Sequence, residues 1–181
     1  MIKPEFMKKI SVFLLLIIWG SVHSQEIKNR YYQAEIATPL IINSTYGQVN
    51  ALGNRSDYRF LPDGLSLKFG VGVHQKKWAS IGIHSGIDWL GSNKLVVVPV
   101  FANFKFNPRI SEESRIYLQL GYGKSFGLGR GSLIGDYRKI ALGAENDEGI
   151  SIYIQVANFG IPLNNLDSVN SLSIGIALAT F

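Results

Sequence analysis

The chain has 181 residues, room for one domain of ordinary size, and no cysteine, which excludes disulfide staples and thiolate metal sites. Its formal charge of +5 comes from scattered basic residues, a pattern that argues against nucleic acid as a partner. Charged residues are 17% of the chain, below the roughly 25% of a typical soluble domain. No apolar run after Trp19 approaches the roughly 20 residues of a membrane-spanning helix. A chain this apolar must therefore bury its hydrophobic side chains by alternation, as a β-barrel does.

The first element expected is a signal peptide over residues 1–24. Lys8 and Lys9 precede an apolar run from Ile10 to Trp19, and Val22 and Ser24 occupy the −3 and −1 positions of a cleavage site. Met7-Lys8-Lys9 is the natural opening of such a peptide, and an uncleaved anchor is the alternative. Without Lys3, Lys8, Lys9 and Glu5, the 18 basic and 13 acidic groups fall to 15 and 12, a net +3 for residues 25–181.

Eight segments of period-two alternation follow, predicted as strands at 31–42, 64–74, 78–90, 95–106, 115–126, 136–145, 150–159 and 170–181. In the second, Leu65, Leu67, Phe69, Val71 and Val73 alternate with Ser66, Lys68, Gly70, Gly72 and His74. Each is near the 9–11 residues that a tilted strand needs to cross a bilayer. Short polar turns (75–77, 107–114 and 146–149) alternate with longer loops (44–63, 127–135 and 160–169), as periplasmic turns and external loops do. Only the connection 91–94 breaks this length rule.

A soluble lipocalin-like barrel shares the strand count but turns its apolar side chains inward. Here the opposite face is rich in Gly, Ala and Ser with sparse charges. That composition suits a cramped lumen and makes a poor water-facing surface. The expectation is therefore an all-β, eight-stranded antiparallel up-and-down transmembrane β-barrel.

The signal peptide, the eight alternating strands and the terminal Phe181 resemble the small outer-membrane barrels of the OmpA/OmpX type. The chain is particularly similar to the short barrel proteins of Bacteroidetes, a resemblance of pattern that spans residues 25–181. It implies residence in the outer membrane of a bacterial cell, with lipid, lipopolysaccharide and the barrel-assembly machinery as partners. In that group the terminal aromatic residue belongs to the assembly signal. Phe181 shares parity with Gly175, Ala177 and Ala179, so reaching the lipid face requires a bulge near Ala179-Thr180; otherwise it is only the last residue.

Face assignment puts Glu35, Asp88 and Glu145 inward with Lys68, Lys105 and Lys139. Charges in a narrow lumen are costly unless paired, so these six are expected to form a salt-bridge network closing the interior. Tyr31, Gln33, Tyr117, Gln119, Tyr137, Tyr153 and Gln155 share that face. A turn centred on Lys76 would pair Lys68 with His84 and gather a Lys68–His84–Asp88 cluster. His84-Ser85 looks like part of a hydrolase dyad, yet adjacent strand residues point to opposite faces. No metal-ligand spacing links His74 and His84, and no cofactor is expected. The glycines of 121–131 lack the strand-to-helix setting of a phosphate loop and read as a strand end running into a loop.

Trp89 and Tyr122 fall on the lipid face near the outer rim, and Tyr32 and Phe106 near the inner rim, as interfacial aromatics do. Trp78 has lumen parity and is left outside this girdle. In the external loops, Arg55, Tyr58, Arg59, Phe60 and Arg130 are candidate contacts for an unknown partner. The leading functional reading is a non-enzymatic barrel with a structural, envelope-integrity or surface-interaction role and a plugged polar lumen. A lipid-modifying enzyme of the outer leaflet and a narrow channel for ions or small solutes stand as alternatives.

Overall fold

The computed structural model describes residues 29–43, 46–47, 57–129, 133–163 and 168–181. The expected signal peptide, Arg55 and Arg130 lie outside the described residues. The strands are β1 (Arg30–Ile42), β2 (Phe60–Pro62), β3 (Gly64–Gln75), β4 (Ala79–Leu90), β5 (Leu95–Phe106), β6 (Ser114–Leu128), β7 (Ile134–Asn146), β8 (Ile150–Asn158) and β9 (Asn170–Thr180). All pairings are antiparallel, and β1 pairs with both β3 and β9, so the sheet closes on itself. The barrel proper has eight strands. β2 is an addition within the loop expected over 44–63: its three residues pair with Leu40, Ile41 and Ile42, extending β1 past the end of β3.

The register fixes the shape. Starting at Arg30, direct partners run through Val73, Ile81, Phe104, Leu120, Ile140, Val156 and Leu172, and return to β1 at Leu40. The closing offset is ten residues, from 30 to 40. With about 3.3 Å per residue and 4.8 Å between strands, ten residues over eight strands tilt each strand by about 40°. A barrel of this size leaves an interior that side chains can fill.

Each strand exposes one parity and buries the other. The outward set is a continuous apolar belt that includes Ile36, Phe69, Val71, Ile83, Ile87, Phe104, Leu120, Ile140, Ile152, Val156, Ile174 and Leu178. Inward lie Gln33, Glu35, Lys68, His84, Asp88, Lys105, Gln119, Lys139, Glu145 and Gln155, all buried. This is the reverse of a soluble ligand-binding barrel.

The inward rows alternate large with small across neighbouring strands. Tyr117 lies opposite Gly143, Gly143 opposite Tyr153, and Tyr153 opposite Gly175. A Cβ on Gly143 would come within 2.6 Å of the Tyr117 ring, and one on Gly175 within 2.8 Å of Tyr153. The glycines thus make the space into which the tyrosine rings fold, which is how a narrow barrel holds aromatic side chains.

The β3–β4 turn differs from expectation. Lys76 and Lys77 both have positive φ, and Trp78 N–H donates to the Gln75 carbonyl at 3.1 Å. Trp78 is left as an extra residue, so Gln75 pairs with Ala79, and the register moves by two relative to a turn centred on Lys76. Lys68 consequently faces Gly86, and His84 faces Gly70. Past the turn Trp78 leaves lumen parity. It is exposed and packs edge-on against Phe106, with ring centroids 5.7 Å apart.

Phe181 needs no bulge. The β1–β9 ladder runs regularly to Tyr32–Thr180, so Phe181 keeps the parity of Ala177 and Ala179. Its ring sits across the short-turn mouth, 5.0 Å from His74, 6.3 Å from Tyr31 and 5.0 Å from the Lys77 ammonium.

Candidate functional site

The lumen is built in three tiers, and the sequence-predicted ionisable residues occupy the lower two. At the short-turn end, Lys105 from β5 donates to Glu145 from β7, with Asn107 donating to the same carboxylate at 2.6 Å. The Lys105 ammonium also lies 4.1 Å from the centre of the Tyr117 ring, a cation–π contact.

The middle tier is organised around Glu35. Its Oε1 accepts from Gln33 at 2.8 Å and from Gln119 at 2.9 Å; its Oε2 accepts from Lys139 at 2.5 Å and from Tyr153 at 3.4 Å. Four donors from four strands meet at one carboxylate. Charge and hydrogen bonding are satisfied together, the condition under which a buried ion can be held. Lys68 forms a second ion pair with Asp88 at 2.7 Å and donates to Ser66 as well.

His84 does not join Lys68 and Asp88 as a three-residue cluster. The two-residue register shift carries it one inward step toward Tyr31, whose hydroxyl is 3.0 Å from Nε2, with Asn103 at 3.3 Å. Nδ1 lies 3.9 Å from Glu35. Ser85 is on the outward parity while His84 is buried inward, so this pair forms no nucleophile–base dyad. Among the described residues, no group of three His, Cys, Asp or Glu is placed to hold a metal ion.

The upper tier was missed in the sequence. Leu90, Leu95, Val97, Phe101, Tyr137, Ala157, Phe159, Ile161 and Val169 form a buried apolar cluster, with Leu133 and Leu163 packed against it. Phe159, Ile161 and Val169 come from the β8–β9 connection, folded into the long-loop mouth. The backbone anchors this fold: Phe159 N–H donates to the Val169 carbonyl at 2.9 Å, and Ser125 donates to the Phe159 carbonyl. Strand β5 is apolar on both faces at its start (Leu95 to Val98), so alternation could not separate lumen from belt there. The one available signal was the parity of Leu90 with Asp88 and His84.

The predicted interfacial aromatics are all outward and exposed. Tyr32 and Phe106 lie toward the short-turn end, where Trp78 joins them, and Trp89 and Tyr122 lie toward the long-loop end. Of the loop candidates, Tyr58 is 74% exposed. Its carbonyl accepts from the Asn43 side chain at 2.8 Å, and the Arg59 carbonyl accepts from Asn43 N–H at 2.9 Å. Phe60 belongs to β2 and is half exposed. These three residues are therefore held on the end of β1.

No protein-family model matches the chain, and no curated protein matches it. Solved structures do. The crystal structure of Neisserial surface protein A (NspA) aligns with a TM-score of 0.52 and 14% identity, over 82% of this chain and 96% of that one. The Yersinia pestis outer membrane protein Ail, in a phospholipid bilayer nanodisc, aligns at a TM-score of 0.44 and 13% identity, over 84% of this chain and 99% of that one. Strand count, closure, the outward apolar parity and the likeness to NspA agree: the chain has the fold of the small eight-stranded outer-membrane β-barrels.

Proposed function

We propose that the protein is an integral outer-membrane barrel with a closed lumen and a structural or surface-interaction role. The observation that carries this reading is the inverted distribution of side chains. A closed belt of aliphatic and aromatic residues faces outward, while six charged side chains and two buried histidines are turned inward. An apolar belt around a closed sheet is stable where the solvent is hydrocarbon, because every ladder hydrogen bond is satisfied within the sheet. The short-turn end would face the periplasm and the long-loop end the outside.

Three features support a plug over a channel. Lys105 with Glu145, Lys68 with Asp88 and Lys139 with Glu35 neutralise one another as pairs. The apolar cluster of the upper tier gives a hydrated ion nothing to bind. The ring of Phe181 lies across the opposite mouth. What remains for interaction is the long-loop end, where Tyr58 and Phe60 present exposed aromatic surface on a strand-anchored segment.

The test is extraction and gel behaviour. The protein should require detergent for extraction and show a heat-dependent shift in migration; a chain that stays soluble in plain buffer would refute the reading. Planar-bilayer recording should show no discrete conductance steps.

A further inference from the structure

Charge is scarce on the outward face of the strands. Among the described residues, Arg30 lies at the short-turn end, while Lys124 on β6 and Asp136 and Arg138 on β7 lie together toward the long-loop end. Lys124 donates to Asp136 Oδ1 at 2.7 Å. Arg138 lies opposite Tyr122 on one side and Asn158 on the other, and no carboxylate among the described residues forms an ion pair with it.

Strand tilt stacks these residues into vertical columns. From β6 to β7, a step between paired residues moves about 3.7 Å sideways and about 3 Å up. Two residues up a strand tilted by about 40° then move about 4.2 Å back and about 5 Å up. Asp136, two residues up β7 from the partner of Tyr122, therefore stands almost directly above Tyr122, by about 8 Å. Arg138 stands in the same way above Leu120, in a second column about 4 Å to the side. All four side chains have outward parity, and Leu120, Tyr122 and Arg138 are exposed.

We propose that this face, given the membrane reading above, is where two copies of the chain pair side by side, with Arg138 of each bound by Tyr122 and Asp136 of the other. A two-fold axis along the membrane normal, set between the columns, lays the Tyr122–Asp136 column of one copy against the Leu120–Arg138 column of the second. Arg138 then falls in height between the ring of Tyr122 and the carboxylate of Asp136 of the second copy, and symmetry forms this contact twice. A guanidinium suits both neighbours, stacking on the ring and donating to the carboxylate. Asp136 accepts from Lys124 through Oδ1, which leaves Oδ2 for the second copy. The flanking columns match as well: Lys124 above Ala102 meets Asn158 above Ile140, an ammonium against an amide and an alanine against an isoleucine. A free anion fits poorly, because Asp136 beside Arg138 repels it. A mixed patch finds its complement in its own two-fold image.

The chain has no cysteine, so a single introduced one reports the contact. Leu120→Cys lies beside the axis, and Ile36→Cys lies on β1, across the barrel from it. In phosphatidylcholine vesicles at low protein density, oxidation by copper phenanthroline should link Leu120→Cys into dimers at least tenfold more than Ile36→Cys. Adding Arg138→Glu or Asp136→Arg to Leu120→Cys should cut that linkage severalfold, since each makes the apposed charges alike. Mixed in equal amounts, the two charge variants should link to one another and recover most of the loss, because each supplies the charge that the other lacks. A heat-modifiable gel shift verifies that every variant is folded. Equal linkage of Leu120→Cys and Ile36→Cys overturns the proposal, as does linkage indifferent to either charge reversal. A mixture that links no better than its components overturns it too. Linkage that appears only when acidic lipid is added assigns the patch to lipid and overturns the pairing. A chain that needs no detergent fails the membrane reading itself; a folded barrel that stays monomeric fails only the pairing.

Discussion

The Glu35 carboxylate on β1 lies 2.5 Å from the Lys139 ammonium on β7, across 104 residues of sequence. The two strands stand three apart around the eight-stranded barrel, so the pair reaches across the lumen. Both side chains are buried, and the carboxylate is completed by Gln33, Gln119 and Tyr153.

Removing one partner of this pair leaves the other charge buried with no counterion. Glu35→Ala should therefore cost about 3–5 kcal/mol, and Lys139→Met a similar amount. The double variant Glu35→Leu/Lys139→Met should lose clearly less than the two singles combined, since no orphan charge remains. Urea titration of protein folded into lipid vesicles measures this. Strictly additive losses would show that the two groups do not interact.

Conductance should depend on the apolar tier rather than on the ion pairs. Lys105→Ala/Glu145→Ala empties part of the short-turn end but leaves the long-loop mouth sealed, so planar-bilayer recordings should remain silent. Phe101 and Tyr137, whose ring centroids are 4.7 Å apart, fill the centre of the seal. Their joint replacement by alanine should produce brief conductance steps. Steps from the Lys105/Glu145 variant and none from the Phe101/Tyr137 variant would place the barrier elsewhere.

Gly143 is required for its lack of a side chain. A Cβ there would lie 2.6 Å from the Tyr117 ring and 2.6 Å from the Ile152 carbonyl. Gly143→Val must expel the ring from its place over the glycine, at a cost of about 1–3 kcal/mol for overpacking. Tyr117→Ala in the same background should recover part of that loss. The urea midpoints of the two variants decide it; a Gly143→Val barrel as stable as wild type would contradict the packing.

Trp89 and Trp78 sit outward near opposite ends of the barrel, so both indoles should rest at headgroup depth in a bilayer. Their fluorescence should be quenched more strongly by lipids brominated near the carbonyl than by lipids brominated near the chain terminus. Trp89→Phe and Trp78→Phe variants assign the signal to each rim. Stronger quenching from the chain terminus would move that residue into the hydrocarbon core.

The eight barrel strands, their bounds to within two residues and most of their alternation were legible in the sequence; the three-residue β2 inside a loop and the doubly apolar start of β5 were not. Parity is local: a period of two over ten residues places side chains on alternate faces whatever the rest of the chain does. It therefore places Glu35, Lys68, Asp88, Lys105, Lys139 and Glu145 inward independently of their partners. Which of them meet is set by the closed barrel. Partners across a barrel depend on turn geometry and on the ten-residue closing offset, and one extra turn residue, Trp78, was enough to separate His84 from Lys68. The same reason hid the apolar tier: Phe159, Ile161 and Val169 lie in the β8–β9 connection, and only folding back into the mouth makes them part of the lumen.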